Sequence, residues 1–272
     1  MTPEKTLAKV LNNIRVHEDQ LNDINVFPIA DADTGTNLYK TLNIDPDRLR
    51  GLEGKDLVDA LADTLLYSAR GSSGNILALY VLGLKENYDE DLSVMCTKAA
   101  EFTWNTMYQP REGTMLTAMK AVPEKYDGFA DFVYQYSLNV IDCLLEGPDL
   151  LPVLKERGTL DSGTLGFLYI LCGIYDAATG TDITPVLSLK KAEAVVAEDE
   201  PTYCVEVLME GIHNLGFLHT YGDELITVSC NGNTKVHIHS DRDFEIVKEL
   251  EKLGRILKVK VDNMRTGQRF ER

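Results

Sequence analysis

From Thr6 to about Ala178, apolar residues recur three and four positions apart, as in Leu7, Val10, Leu11 and Ile14, and again in Phe132, Val133, Tyr136, Leu138, Val140, Ile141 and Leu144. That spacing places them on one face of successive amphipathic helices and predicts a helical bundle. Beyond a charged, weakly patterned stretch from Leu187 to Pro201 the period shortens to two. Tyr203–Met209, Glu224–Ser229 and Lys235–His239 read as strands, the last two joined by a hairpin turn at Cys230-Asn-Gly-Asn-Thr234. A short irregular or helical crossover fills Gly211–Tyr221. Ser240 or Asp241 is expected to cap a helix carrying Ile246, Val247, Leu250 and Leu253 up to Gly254, followed by a strand at Ile256–Val261. The expected fold class is therefore multidomain, α then α+β, with an all-helical domain over 1–186, a linker over 187–201 and a small α+β sandwich over 202–272.

The length of 272 residues suits one large or two ordinary domains. A formal charge of −16 opposes binding to a phosphate backbone, so nucleic acid is not an expected partner. No run is long and apolar enough to span a bilayer, and Met-Thr-Pro-Glu-Lys lacks the character of a signal peptide, which predicts a cytoplasmic protein without membrane insertion. The five cysteines are odd in number, widely spaced and form no Cys-x-x-Cys, so reduced, buried thiols are expected.

Four breaks between the predicted helices carry unusual polar sequence: Asp31 to Asn37, Ala69-Arg-Gly-Ser-Ser-Gly-Asn75, Arg111-Glu-Gly-Thr114 and Asp161-Ser-Gly-Thr164. Asp31 and Asp33, two residues apart in a turn, can direct hard oxygen ligands at one Mg2+, and Thr34, Gly35, Thr36 and Asn37 behind them offer hydroxyl, amide and backbone donors to a phosphate. Taken alone, an Asp-x-Asp is better explained by local capping and turn formation. The apolar Val26-Phe-Pro-Ile29 ahead of it argues for an anchored turn, and alternate loops of an up-and-down bundle converge at one end.

In the strand region His237 and His239 leave the same face, opposite Val236 and Ile238. With Cys204 on a neighbouring strand they make a set suited to Zn2+, for which Glu206, Asp241 or a water is a candidate fourth ligand. Taken alone, the spacing is better explained by a solvated histidine pair with Cys204 in the core. His17, His213 and His219 show no comparable arrangement.

Together these motifs resemble the nucleotide-binding subunit of the dihydroxyacetone kinase family, and more closely the ATP-binding subunit of bacterial fatty acid kinase. The family pattern Asn-Val-x-Pro-x-Pro-Asp-Gly-Asp-Thr-Gly-Thr-Asn is matched by Asn25 to Asn37, Ala-Arg-Gly-Asn-Ser-Gly by Ala69 to Gly74, Glu-Gly-Thr by Glu112 to Thr114, and Asp-Ala-Gly-Gly by Asp161 to Thr164. Tyr203-Cys-Val-Glu206, Lys235-Val-His-Ile-His239 and Asp262-Asn-Met-Arg265 continue the likeness almost to the end of the chain. The resemblance implies an antiparallel helical barrel that binds ATP or ADP at one end, with Asp31 and Asp33 as the catalytic, Mg2+-binding pair. It places Thr34, Gly35, Thr36, Asn37, Gly71, Ser72, Ser73 and Gly74 near the phosphates, Thr114 and Met115 near the base, and Asp161 and Gly163 in the last nucleotide loop. Cys204, His237 and His239 are implied to bind Zn2+. Asn25 lies near a position where the glycerone-type relatives carry a further metal-binding Asp.

The implied function is an ATP- and Mg2+-dependent phosphotransferase subunit whose acceptor, a fatty acid converted to an acyl phosphate, is presented by an acyl-binding or other substrate-carrying partner. A second copy of the chain in a homodimer is a further candidate partner. The alternatives are a nucleotide-binding regulatory or scaffold protein and a glycerone-type kinase subunit. Ala30 and Ala32 stand where the pattern has Pro and Gly, Ser72 where it has Asn, Asn75 where it has an aliphatic residue, and Ser162-Gly-Thr164 where it has Ala-Gly-Gly. Alanine at 32 does not readily reach the positive φ open to glycine, so the carboxylates are expected to be aimed differently if that conformation is required. Longer fatty acid kinase subunits continue into a C-terminal domain implicated in engaging the acyl carrier; the sequence ends at Arg272, so such a docking surface is expected elsewhere, on another polypeptide, or absent.

Overall fold

The computed structural model describes residues 1–189, 191–192, 200–266 and 268–271. Ten α-helices precede the sheet among these residues: α1 (Pro3–Val16), α2 (Glu18–Asp23), α3 (Thr34–Leu42), α4 (Gly54–Ser68), α5 (Gly71–Glu86), α6 (Leu92–Thr106), α7 (Met115–Lys120), α8 (Gly128–Leu150), α9 (Pro152–Arg157) and α10 (Ser162–Thr179). Local chemistry sets their ends. Thr2 accepts from Lys5 N ahead of Pro3 at the start of α1, whose Leu7, Val10 and Ile14 turn inward. At the far end of the helical region, α10 is buried on nearly every side, from Leu165 through Cys172. It forms the core with Val10, Ile14, Leu38, Tyr80, Phe132 and Tyr136 from other helices. Burying each large apolar side chain contributes about 1.5–3 kcal/mol.

The remaining elements are β1 (Tyr203–Glu210), β2 (Asp223–Cys230), β3 (Asn233–Ser240), α11 (Asp243–Leu253), β4 (Ile256–Asn263) and β5 (Arg269–Glu271). They form one antiparallel sheet in the order β2-β3-β1-β4-β5. Asn231 and Gly232, at φ 48° and 73°, close the β2–β3 hairpin as a two-residue loop with both central residues left-handed. On one face Val205, Val207, Met209, Val236 and Ile238 pack on Ile246 and Leu250 of α11. On the other, Leu208, Ile226, Val228 and Cys230 pack on Leu66, Leu79, Leu82, Met107 and Leu116 of the helical region. The sheet is thus covered on both sides, which its alternating polar positions did not foretell.

Two local expectations are corrected. Neither Ser240 nor Asp241 caps α11: the N-cap is Arg242, with no side-chain cap bond, while Ser240 Oγ accepts from Arg242 N and Asp241 Oδ1 from Thr202 N, both at 2.8 Å. Strand β5 adds an edge beyond the predicted last strand. Within the expected linker, residue 190 and residues 193–199 lie outside the described residues. All five cysteines are free, four of them buried, and no described helix is long and apolar enough to cross a membrane.

Candidate functional site

The acidic turn is built around Asn25. This buried amide donates to Ile29 O and accepts from Asp33 N, both at 3.1 Å, and so fixes the loop that carries Asp31 and Asp33. Its carboxamide is committed to that loop. Ala32 between the aspartates sits at φ 55°, so the chain adopts the left-handed conformation despite lacking glycine there. A Cβ in that region costs about 1–2 kcal/mol. Ala32→Gly should therefore raise stability by about 0.5–1 kcal/mol, after the extra chain entropy of glycine, and the melting temperature by about 1–4 °C in calorimetry. Burial, followed by the neighbouring Asp33 charge, holds the Asp31 carboxyl well above the usual aspartate range. Asp262 of β4 adds to that repulsion. Crowded carboxylates of this kind fit a divalent cation, whose charge would offset their mutual repulsion.

Asp31 and Asp33 line a cavity with Asn25, Thr34, Asn37, Gly71, Ser72 and Ser73. Gly71 opens α5 at φ 59°, and a Cβ there would lie 2.1 Å from Asn37 Nδ2, so glycine is required for both conformation and space. A second cavity shares Phe27, Pro28, Ser72 and Ser73 with the first and adds Thr114, Met115, Asp161 and Gly163. The four polar breaks therefore meet at one end of the helices. Thr114 caps α7, accepting from Leu116 N at 3.3 Å. Asp161 caps α10 through Thr164 N and Oγ1 at 2.7 and 2.8 Å, and burial pushes its carboxyl up to about 6. Ser162 Oγ and Thr34 Oγ1 join α10 to α3 at 2.9 Å.

Three of the residues expected near the phosphates lie outside these cavities. Gly35 packs so closely on α2 that a Cβ would fall 2.4 Å from Glu18 O, and its N–H, like that of Thr36, is taken by Asn22 Oδ1. Thr36 Oγ1 donates to Glu18 Oε1 at 2.7 Å. Gly74 faces Thr41, whose Oγ1 would lie 2.2 Å from an added Cβ. These positions serve packing of α3 against α2 and α5. Arg111, of the third polar break, lines the second cavity together with Glu224, which was not expected as a site residue; burial, then Asp223, pushes Glu224 up to about 7.

The sheet closes the first cavity with Cys204 and His239. Register sets them directly opposite each other on β1 and β3, with Glu206 opposite His237 in the next row. Candidate ligand atoms of Cys204, His237 and His239 all lie within 4.8 Å of one another, and all three residues are buried. His239 Nδ1 is buried without a hydrogen-bond partner. Burial, then the Glu206 charge, pushes the Cys204 thiol well up, and burial holds His239 well down as neutral imidazole. A thiol that ionises only on a metal, beside an imidazole nitrogen with nothing else to bind, fits Zn2+. Asp241 is directed to Thr202 instead, and Glu206 is engaged by the helical region.

Lys235 and Lys260 complete this buried face beside Glu206; these two lysines were missed as site residues, although period-two spacing put them on the Cys204 and His237 side. Burial raises the Glu206 carboxyl, but Lys235, His237 and Lys260 together hold it well below its usual range. The largest cleft, about 1150 Å3, lies apart from this chemistry, between α11 and β4–β5, where Phe244, Leu257 and Phe270 line it.

The model of the DAK2 domain matches residues 28–176, and that of the fatty acid kinase A-subunit-like middle domain matches residues 200–270. An uncharacterized protein of Staphylococcus saprophyticus is 27% identical over 295 residues, covering 94% of this chain and 53% of that protein. Protein YloV of Bacillus subtilis is 26% identical over 306 residues, 96% of this chain and 55% of its own length. The chain spans about half the length of the curated relatives it matches.

Proposed function

The chain belongs to the DAK2-domain family, and from that premise we propose that it is the nucleotide-binding subunit of an ATP- and Mg2+-dependent phosphotransferase whose acceptor is presented by a separate cytoplasmic protein. The observation that carries this reading is the meeting of Asp31 and Asp33 with the start of α5 and the 111–116 and 161–163 loops around two adjoining cavities. In phosphoryl transfer a bound Mg2+ would supply positive charge that offsets the charge developing on the phosphates. Asp31 and Asp33 would hold it. Ser72 and Ser73, with the positive end of α5, would orient the phosphates, while Thr114, Met115, Asp161 and Gly163 would border the remainder of the nucleotide.

The acceptor we favour is a fatty acid carboxylate, converted to an acyl phosphate while held by an acyl-binding partner. Its support is the match of residues 200–270 to the fatty acid kinase A-subunit-like middle domain. In this reading residues 1–186 form an antiparallel helical barrel, 187–201 a linker and 202–272 a domain whose Cys204, His237 and His239 hold Zn2+ beside the phosphates.

Mg·ATP should raise the melting temperature by mass action, by about 2.7 kcal/mol of stability at a concentration 100 times its dissociation constant, or about 5–10 °C. An unchanged melting curve at millimolar nucleotide overturns the reading. Transfer of labelled γ-phosphate to a fatty acid on an acyl-binding protein tests the acceptor. Transfer to glycerone instead would reassign the substrate, and binding without transfer to either would make the chain a regulatory module.

A further inference from the structure

Helix α5 begins without a cap of its own, because Arg70 at the N-cap makes no side-chain cap bond. The sheet supplies one. Glu206 Oε1 of β1 accepts from Gly71 N and from Asn75 Nδ2, both at 2.9 Å, and Asn75 Nδ2 also reaches Gly71 O at 2.8 Å. Nearby, Lys235 Nζ of β3 donates to Ala69 O, and Ser72 Oγ shares a hydrogen bond with His237 Nε2 at 3.2 Å. The stretch from Ala69 to Asn75, of which Gly71, Ser72 and Ser73 line the first cavity, is thus held from the sheet at four points.

Glu206 also faces the metal-suited set. Its Oε1 lies 3.6 Å from His237 Nδ1, and its Oε2 accepts from Lys260 Nζ at 3.3 Å, while Lys260 Nζ also pairs with Asp262 at 2.7 Å. Glu206 is only 3% exposed and His237 fully buried, so these bonds are not exchanged for water. A charge-assisted bond in such surroundings is among the stronger ones a protein makes, and a donor left without it costs more than the bond itself contributes. Asn75, which stands where the resembling family has an aliphatic residue, adds an amide whose hydrogens go to Glu206 and to the start of its own helix.

We propose that Glu206 is a positioning residue: it sets the first turn of α5 for the phosphates and joins that turn to the Cys204, His237 and His239 site, so that occupation of either site strengthens the other. The proposal rests on the reading of the helical cavities as a nucleotide site. Coupling of this kind is reciprocal, because both ligands favour the same arrangement of Gly71, Ser72, Glu206 and His237.

The test uses the full chain and its Glu206→Ala, Glu206→Gln and Asn75→Val variants. Mg·ATP affinity is measured by titration calorimetry with and without one equivalent of Zn2+, and amide exchange is followed over residues 69–76 without nucleotide. Glu206→Ala should weaken Mg·ATP binding about 10- to 100-fold and accelerate exchange at the start of α5. Glutamine keeps an oxygen for Gly71 N, so Glu206→Gln should recover affinity to within about 5-fold of the parent, whereas a residue needed for its charge alone would show no such rescue. Asn75→Val should cost about 3- to 10-fold and keeps the proposal open to refutation if Glu206→Ala does not fold. Zn2+ should tighten Mg·ATP binding in the parent and not in Glu206→Ala. Parental affinity and parental exchange in a folded Glu206→Ala, equal losses in Gln and Ala variants, or no effect of Zn2+ in the parent would each overturn the proposal. If the parent chain binds no Mg·ATP, the nucleotide reading fails, and the exchange data still report whether Glu206 holds the start of α5.

Discussion

Asp33→Asn should abolish the rise in melting temperature that Mg·ATP produces in the parent chain, and reduce any phosphoryl transfer by at least about 100-fold. The same substitution should leave the nucleotide-free protein slightly more stable. Asp31 is raised by burial first and by Asp33 next. A folded-state acid pKa above the unfolded one destabilises the fold increasingly as pH rises through that window, because the unfolded chain then holds fewer protons. Removing the Asp33 charge lessens this deficit, and the gain should appear above about pH 4 and vanish below it. Melting curves over pH, with and without Mg·ATP, measure both effects. A variant that keeps the nucleotide shift would remove the aspartate pair from the site, whereas one that loses it while melting higher cannot owe the loss to misfolding.

His237→Ala should lose the near-stoichiometric zinc that elemental analysis is expected to find in the purified parent. It should also melt about 4–8 °C lower, a loss of about 2 kcal/mol or more. Among the contacts that go with the ring are the Ser72 hydrogen bond at 3.2 Å and the close approaches to Cys204 Sγ and Glu206 Oε1, each at 3.6 Å. Since the Cys204 thiol must shed its proton to bind a metal, zinc affinity in the parent should fall as pH falls. Parent protein that is free of metal yet melts at the same temperature after zinc is added would remove zinc from the site.

The helices were legible because a 3.6 period is a local signal, and the β2–β3 hairpin because Asn231-Gly232 is one of the few pairs that favours two left-handed residues in succession. The shared face of His237 and His239 was equally legible, from a period of two. What covers that face was not. Polar residues alternating with apolar ones read as a solvated side, and only tertiary packing shows that α4 and α5 lie over it. Glu206 follows the same logic: a buried carboxylate becomes readable only once Gly71, Asn75 and Lys260 are beside it. At Gly35 and Gly74 the motif suggested a phosphate cradle, whereas close approach to the Glu18 backbone and to the Thr41 side chain accounts for the two glycines. Ser240 and Asp241 had the right chemistry for a cap and spend it on Arg242 N and Thr202 N.

The cap that Glu206 gives to α5 comes from 135 residues later in the chain. At a synthesis rate of about 5–20 residues per second, the ribosome delivers the phosphate-side turn roughly 7–27 s before the carboxylate that finishes it. A nascent chain carrying the whole helical region would emerge with the motif intact and the turn incomplete. If the cavity binds nucleotide as proposed, competence for it would arrive only with β1, whose Glu206 completes the first turn of α5.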